Sequence, residues 1–146
     1  MELIIRHFRE LSPRELYEIL RVRAAVFVVE QDCPYQDPDG LDSDAWHLWL
    51  ADAEGIQAYL RVLAPGARFP EASIGRVLSL KRRQGLASQL LEAGIRVVEE
   101  RCGAASVRIE AQTYARALYE KAGFVQVSDE FLEDGIPHIQ MLWEKR

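Results

Sequence analysis

Between residues 73 and 103 the chain shows, in direct succession, the patterns of a short strand, a basic turn and a long amphipathic helix. The strand spans Ser73–Ser79, and the turn Lys81–Gly85 carries three positive charges. Gly103 suits the C-terminal cap of the helix. This unit restricts the fold to one that combines a sheet with helices. Apolar residues recur at helical intervals and share one face: Leu86, Leu90, Ala93 and Val97.

The first helix has the clearest start signal in the chain. Ser12 can act as the N-cap, Pro13 suits the first helical position, and Glu15 completes a capping box. Apolar spacing continues towards Glu30, where we expect the helix to end. The segment that follows, residues 32–45, is rich in aspartate, proline and glycine and is expected to be a loop.

The remaining elements are short strands and one short helix. Glu54–Gly55 is expected to turn one pair of strands into a hairpin, and Leu132–Gly135 is expected to form another turn. The element order predicts one α/β (α+β) domain over residues 1–146, with helices flanking a central sheet. The expected strands are Leu3–Ile5, Trp46–Leu50, Ile56–Val62, Val107–Ala111, Phe124–Val127 and Ile136–Trp143, and the expected helix is Tyr114–Lys121.

Composition excludes several classes of protein. With 146 residues, of which 49% are hydrophobic and 28% charged, the chain suits a globular domain rather than a disordered tail or a fibre. A net charge of -5 disfavours a broadly basic nucleic-acid binder. The N-terminus lacks the apolar core of a secretory signal, and no stretch is long enough to span a membrane. Two cysteines are too few for a disulfide scaffold, so we expect a cytoplasmic protein with reduced thiols.

The turn before the long helix is a candidate anion site. The first amides of a helix have no intrahelical partner, and the helix dipole adds partial positive charge there. Gly85 lets the backbone approach a ligand closely, and Lys81, Arg82 and Arg83 add positive charge. The pattern favours a phosphate or pyrophosphate, and a solvated connecting turn is the alternative. The segment matches neither the P-loop nor the dinucleotide-binding fingerprint.

The pattern Arg82-x-x-Gly85-x-Ala87 resembles the Arg/Gln-x-x-Gly-x-Gly/Ala acyl-CoA loop of the GNAT superfamily of N-acetyltransferases. Residues 117–124, which read Ala-Leu-Tyr-Glu-Lys-Ala-Gly-Phe, are similar to the second characteristic stretch of that superfamily. The resemblance covers nearly the whole chain. Three further segments resemble the ElaA-type branch of the superfamily: Arg23–Gln31, Cys33–Asp37 and Glu133–His138.

The resemblance implies a GNAT-like acyl-CoA N-acyltransferase fold, in which a twisted mixed sheet splays between its fourth and fifth strands. Those strands should be Ile74–Ser79 and Ser106–Ala111. The pantetheine arm of acetyl-CoA is then expected to lie in the splay, along the backbone of Val77, Leu78 and Ser79. The pyrophosphate is expected on a run of backbone amides, with the Ser88 hydroxyl beside it: Arg82, Arg83, Gln84, Gly85, Leu86 and Ala87.

The same resemblance implies which residues carry the reaction. Acetyl transfer to an amine requires a neutral amine, a stabilised oxyanion and departure of the coenzyme A thiolate. The amide of Leu78 is expected to stabilise the oxyanion, and the hydroxyl of Tyr119 is expected to protonate or hydrogen-bond the thiolate. The alternative for Tyr119 is an ordinary core tyrosine. Glu30, Glu110 and His138 are the candidates for the general base.

Contacts with the acceptor are expected from Glu30, Gln31 and His138. The alternatives are a solvated helix end for the first two and a hydrogen-bonded structural histidine for the third. The aspartate-rich run Asp37–Asp44 lacks the spacing and the terminal glutamate of an EF-hand. We therefore expect no metal there, but an acidic turn that helps to attract a cationic amine.

The leading hypothesis from the sequence is an acetyl-CoA-dependent N-acetyltransferase that acts on a primary amine of a small molecule or a protein. Cys33 and Cys102 have no base beside them in the sequence, which favours direct transfer without an acyl-enzyme. The alternatives are a non-catalytic module that binds or senses acyl-CoA and an acyltransferase that uses a different acyl donor. No nucleic-acid or membrane partner is expected. The sequence is compatible with both a monomer and a homodimer.

Overall fold

The computed structural model describes residues 1–146. Its elements follow the predicted order, with one additional short strand near the C-terminus. The strands are β1 (Glu2–His7), β2 (Trp46–Asp52), β3 (Gly55–Leu63), β4 (Ser73–Ser79), β5 (Ser106–Gln112), β6 (Val125–Gln126), β7 (Phe131–Glu133) and β8 (Ile136–Glu144), and the helices are α1 (Pro13–Arg23), α2 (Leu86–Arg101) and α3 (Arg116–Lys121).

The first helix begins as predicted and ends in an unexpected geometry. Ser12 Oγ accepts from the Glu15 amide at 3.1 Å, and Glu15 Oε1 accepts from the Ser12 amide at 2.9 Å, so the capping box is complete. After α1 the chain continues as a π-helical segment, Ala24–Glu30. The predicted end at Glu30 is therefore confirmed, but the π geometry was not foreseen. Such segments are frequent at functional sites.

Two antiparallel sheets meet at a single point. One has the strand order β1-β2-β3-β4, and the other has the order β5-β8-β6 with β7 also paired to β8. They are joined by a parallel bridge between Ala72 and Val107, where the Arg108 amide donates to the Ala72 carbonyl at 2.9 Å. Beyond that bridge β4 and β5 do not pair. The expected splay between the fourth and fifth strands is confirmed.

Helices cover both faces of the first sheet. Helix α2 packs against β2, β3 and β4 closely enough that a Cβ on Gly94 would lie 3.2 Å from Ile74 Cδ1 and 3.3 Å from Leu60 Cδ1. On the opposite face, Ile19 and Val22 of α1 belong to a smaller buried cluster with Trp49, Tyr59 and Leu78. None of the helices combines the length and the apolar character that crossing a membrane requires.

The C-terminal region differs in detail from the sequence-based expectation. The predicted strand Phe124–Val127 is reduced to two paired residues, and the predicted helix Tyr114–Lys121 begins as a 3-10 turn before α3. The expected turn is a tight hairpin between β7 and β8, in which Asp134 and Gly135 have φ angles of 51° and 74°. An Asp-Gly pair accommodates two such positive angles at low cost.

Candidate active site

The N-terminus of α2 is open to an anion. Gly85 precedes the helix in the left-handed region with φ 72°, and no side chain caps the first turn. The amides at the start of the helix therefore lack an intrahelical partner. Arg83 also has a positive φ of 62°, a conformation that disfavours most side chains. The alternation of left-handed and ordinary residues turns the backbone around the N-terminus of the helix.

The side chains of this loop divide into two groups. Arg82 and Arg83 are exposed, and Arg82 forms an ion pair with Glu30 at the end of the π-helical segment. Leu86 is buried and belongs to the main hydrophobic core, so only its backbone is available to a ligand. The structure thus brings a run of free amides and exposed positive charge to the same end of α2.

Strand β4 contains a bulge beside the splay. Four residues, Gly75 to Leu78, lie opposite three residues of β3, Tyr59 to Arg61, and Arg76 within the bulge has a φ of 51°. The Arg76 side chain turns away to the loop before β2, where Nη2 donates to the Asp37 carbonyl at 2.9 Å. A bulge of this kind changes the direction of the following backbone groups.

The direction of the backbone amides in β4 argues against Leu78 as the oxyanion donor. The Leu80 amide donates to the Gln57 carbonyl of β3 at 2.7 Å. Because N–H groups along a regular strand alternate between its two sides, the Leu78 amide also points to β3, whereas that of Ser79 points into the splay. The Leu78 amide is therefore turned away from the splay, and Val77, within the bulge, is the neighbouring backbone position that remains as a candidate donor.

Two chambers open in the splay and share one boundary. The first, which we call the helix-side chamber, has a volume of about 430 Å³ and is lined by Leu78, Ser79, Arg82 and Ala87 among others. The second, the hairpin-side chamber, has a volume of about 390 Å³ and extends to the β7–β8 hairpin. Six residues line both chambers: Phe27, Gln31, Val77, Tyr114, Ala115 and Tyr119.

Tyr119 lies at this boundary with its hydroxyl unengaged. The residue is 7% exposed and packs edge-on against Phe124, with ring centroids 5.8 Å apart. Its hydroxyl makes no hydrogen bond to the protein. Burial raises the pKa of the Tyr119 hydroxyl well above its usual range, because the phenolate is poorly solvated there. Tyr119 therefore stays protonated and can donate.

His138 lines the hairpin-side chamber with one nitrogen available as a base. Its Nδ1 lies 2.7 Å from the Ile136 carbonyl, which can only accept, so the proton of the neutral ring sits on Nδ1. Nε2 then carries the lone pair and lies 3.7 Å from Glu133 Oε2. The ring stacks on Phe131 with centroids 6.0 Å apart.

The other sequence-predicted base candidates are placed less favourably. Glu30 lines only the helix-side chamber and is paired with Arg82, so it does not join His138. Glu110 lines the hairpin-side chamber but forms an ion pair with Arg68. Glu133, beside His138, is a residue for which the sequence alone predicted no role. The Asp134-Gly135 pair indicates a two-residue hairpin turn, and such a turn places Glu133 and His138 on one face of the hairpin. This pattern could have identified Glu133 from the sequence.

The aspartate-rich loop is held by buried arginines. Arg23 is fully buried and donates to Asp37 Oδ2 at 2.9 Å and to Asp42 Oδ1 at 2.6 Å. Arg61 is 1% exposed and donates to Asp39 at 2.9 Å and Asp42 at 3.0 Å. These carboxylates neutralise arginines, so they contribute much less attraction for a cationic amine than the sequence suggested. The loop instead forms a fixed wall of the hairpin-side chamber.

Hydrogen bonds set the charge state of Asp39 in this cluster, and burial sets that of His47. Burial would raise the pKa of Asp39, but hydrogen bonds from Arg61 and from the Leu41 amide outweigh it and hold that pKa well below the usual range. Burial lowers the pKa of His47. The neutral His47 ring donates from Nε2 to the Asp42 carbonyl at 3.1 Å and accepts from the Tyr59 hydroxyl at 2.6 Å.

This arrangement predicts acid sensitivity of the fold. Since the pKa of Asp39 is depressed on folding, its contribution is complete above an unfolded pKa of about 3.9 and is lost as the pH falls further. We expect Asp39→Asn to lower the free energy of unfolding at neutral pH by about 2 kcal/mol, because Arg61 loses a charged partner. The variant should also lose stability less steeply than the wild type below about pH 4.

Urea denaturation at a series of pH values measures both effects. Asp44→Asn is the matched control, because Asp44 is exposed in the same loop and has no ion-pair partner. The prediction would be contradicted if the free energy of unfolding fell equally steeply with pH in Asp39→Asn and in the wild type.

The fold and the site define an acyltransferase. The sequence profile of the acetyltransferase (GNAT) domain matches residues 42–145, and the chain belongs to this family. Protein ElaA of Escherichia coli is 37% identical over 142 residues, which are 94% of this chain and 93% of ElaA. A UPF0039 protein of Mycobacterium tuberculosis is 41% identical over 140 residues, which are 92% of this chain and 87% of that protein.

Solved structures agree with this assignment. The crystal structure of an acyl-CoA N-acyltransferase from Pseudomonas aeruginosa superposes with a TM-score of 0.91 at 40% identity, over 98% of this chain and 99% of that one. The crystal structure of Escherichia coli ElaA superposes with a TM-score of 0.90 at 35% identity, with the same coverage. The expected GNAT fold and the likeness to ElaA are confirmed.

Proposed function

We propose that the protein is an acetyl-CoA-dependent N-acetyltransferase that transfers the acetyl group directly to a primary amine. The observation that carries the proposal is the uncapped N-terminus of α2, which opens into a chamber that meets a second chamber at Val77 and Tyr119. A bound diphosphate and a reacting amine would each have a compartment, and the thioester would lie at their boundary.

Acetyl-CoA would lie along the helix-side chamber, with its diphosphate at the N-terminus of α2. The amides of Arg82 to Ala87 would hold the pyrophosphate, with the Ser88 hydroxyl beside them. The pantetheine arm would follow β4 past Val77 to Ser79, whose backbone groups face the splay. Large side chains, Phe27, Val77 and Tyr119, line the boundary between the chambers and suit a short acyl group.

Two residues at the boundary, together with His138 in the hairpin-side chamber, would account for the steps of the transfer. The neutral amine attacks the thioester carbon, a C–N bond forms, and the carbonyl oxygen becomes an oxyanion. One backbone donor such as the Val77 amide contributes about 3 kcal/mol to stabilisation of that oxyanion. His138 Nε2 removes the excess proton from the nitrogen. As the C–S bond breaks, Tyr119 donates a proton to the coenzyme A thiolate.

An acceptor screen tests the proposed function. Purified protein is mixed with acetyl-CoA and a panel of primary amines, including small amines, amino acids and lysine-containing peptides. Thiol release that depends on the amine, with an acetylated product of matching mass, is the expected result. Octanoyl-CoA in place of acetyl-CoA tests the donor. Affinity for coenzyme A without thiol release for any amine would instead indicate a binding module.

His138 provides a direct test of the base. We expect His138→Asn to lower turnover about 100-fold, because the variant lacks the Nε2 lone pair. The asparagine amide can still donate to the Ile136 carbonyl in place of Nδ1, so the hairpin should stay folded. Acetyl-CoA affinity and melting temperature should remain close to those of the wild type. Steady-state kinetics, calorimetry and thermal unfolding check the three expectations, and unchanged turnover would exclude the assigned role.

A further inference from the structure

Two glutamine side chains form a reciprocal pair across the splay. Gln31 Nε2 donates to Gln112 Oε1 at 3.1 Å, and Gln112 Nε2 donates to Gln31 Oε1 at 3.3 Å. Both residues are half-buried. Gln31 follows the π-helical segment, and Gln112 is the last residue of β5. The pair therefore ties the end of the first helix to the strand on the far side of the cleft.

The pair lies beside the boundary of the two chambers. Gln31 lines both chambers, and Gln112 lines the hairpin-side chamber. Val77 and Tyr119 belong to the same boundary. The π-helical geometry matters for this placement, since i→i+5 hydrogen bonds turn the chain less per residue than an α-helix does. The Gln31 amide is bonded in that way, to the Val26 carbonyl at 3.3 Å.

Half of the hydrogen-bonding capacity of the pair remains available. Each amide nitrogen carries a second N–H, and each carbonyl oxygen has a second lone pair. The pair thus presents donors and acceptors to the hairpin-side chamber while both side chains are held in place. Neither side chain carries a charge, so the pair can accept an N–H from a neutral amine and favours the protonated amine less than a carboxylate in the same place would.

We propose that Gln112 is an acceptor-binding residue and that Gln31 is the residue that positions it. The Gln112 carbonyl oxygen accepts an N–H of the incoming amine, which directs the nitrogen lone pair at the thioester carbon. The pair also narrows the passage between the chambers. This inference rests on the proposed function, in which the hairpin-side chamber takes the amine.

Kinetics with the best amine of the panel test the assignment. Gln112→Ala and Gln31→Ala are each expected to raise the KM for the amine about tenfold, which corresponds to the loss of about one hydrogen bond to the acceptor. The KM for acetyl-CoA should change less than about twofold. The double variant should resemble the single variants, because residues that act as one unit are not additive. Gln126→Ala is the control: it loses contacts with Arg116 and Ser128, away from the chambers.

Alkylation of Cys33 gives a readout that needs no amine. Cys33 is buried, lines the hairpin-side chamber and lies two residues after Gln31. In a Cys102→Ala background, iodoacetamide should modify Cys33 several-fold faster when Gln112 is replaced by alanine. If the wild type acetylates no amine, the proposed function fails, and the alkylation rates still decide whether the pair shields this part of the hairpin-side chamber. An active wild type whose amine KM is unchanged by Gln112→Ala would overturn the inference alone, whatever the alkylation rate.

Discussion

Gly85→Val is expected to weaken acetyl-CoA binding by about 100-fold or more. Gly85 has a φ of 72°, a conformation that costs a β-branched residue far more than glycine. A Cβ at this position would meet no protein atom within 4 Å, so the protein itself does not forbid the side chain. The expected loss comes from movement of the loop backbone and from a side chain in the space that we propose for the diphosphate.

The size of this effect follows from the number of contacts that depend on one residue. The amides from Arg82 to Ala87 can converge on a diphosphate only while the chain turns at Gly85. Hydrogen bonds to a charged group contribute about 1.5–3 kcal/mol each, so loss of one or two of them is enough for a 100-fold change. Calorimetric titration with acetyl-CoA measures the affinity directly and does not require turnover.

Gly103→Val is the matched control for Gly85→Val. Gly103 lies at the opposite end of the same helix and has a φ of 60°, and a Cβ on Gly103 would likewise meet no protein atom within 4 Å. Both variants should lose a similar amount of folding stability. Only Gly85→Val should lose affinity for acetyl-CoA. Equal affinities of the two variants for acetyl-CoA would exclude the N-terminus of α2 as the binding site of the diphosphate.

The elements that sequence reasoning identified are those in which local signals and the fold agree. The Ser12 and Glu15 capping box forms as predicted, and the apolar stripe of α2 packs on the sheet. The boundaries of β4 were predicted without error. In each case neighbouring residues determine the geometry, so periodicity and capping rules apply directly.

What sequence reasoning missed depends on residues that are distant in the chain. The Gln31–Gln112 pair joins positions 81 residues apart. Likewise, the buried Arg23 and Arg61 side chains can be recognised as partners of the aspartate-rich loop only after the sheet has brought them together. The same holds for the Val77 amide, because its direction depends on strand register and on a bulge at Arg76.

Tyr119→Phe is expected to lower turnover about 100-fold while leaving acetyl-CoA affinity within about twofold of the wild type. The variant keeps the ring that packs against Phe124 and removes only the hydroxyl, which bonds to no protein group. Since burial raises the pKa of Tyr119, the wild-type hydroxyl stays protonated across the neutral and mildly alkaline range. The ratio of wild-type turnover to Tyr119→Phe turnover should therefore be similar at every pH in that range.

Tyr114→Phe separates this role from a general effect of removing a hydroxyl. Tyr114 lines the same two chambers but is 82% exposed, and its hydroxyl has no place in the proposed transfer. The turnover of Tyr114→Phe should stay within about twofold of the wild type, since removal of a solvated hydroxyl leaves the buried Tyr119 hydroxyl intact. Rates measured by thiol release for both variants distinguish the cases. If Tyr119→Phe turned over as fast as Tyr114→Phe, the leaving thiolate would depart without a proton from Tyr119, and the buried tyrosine would serve packing alone.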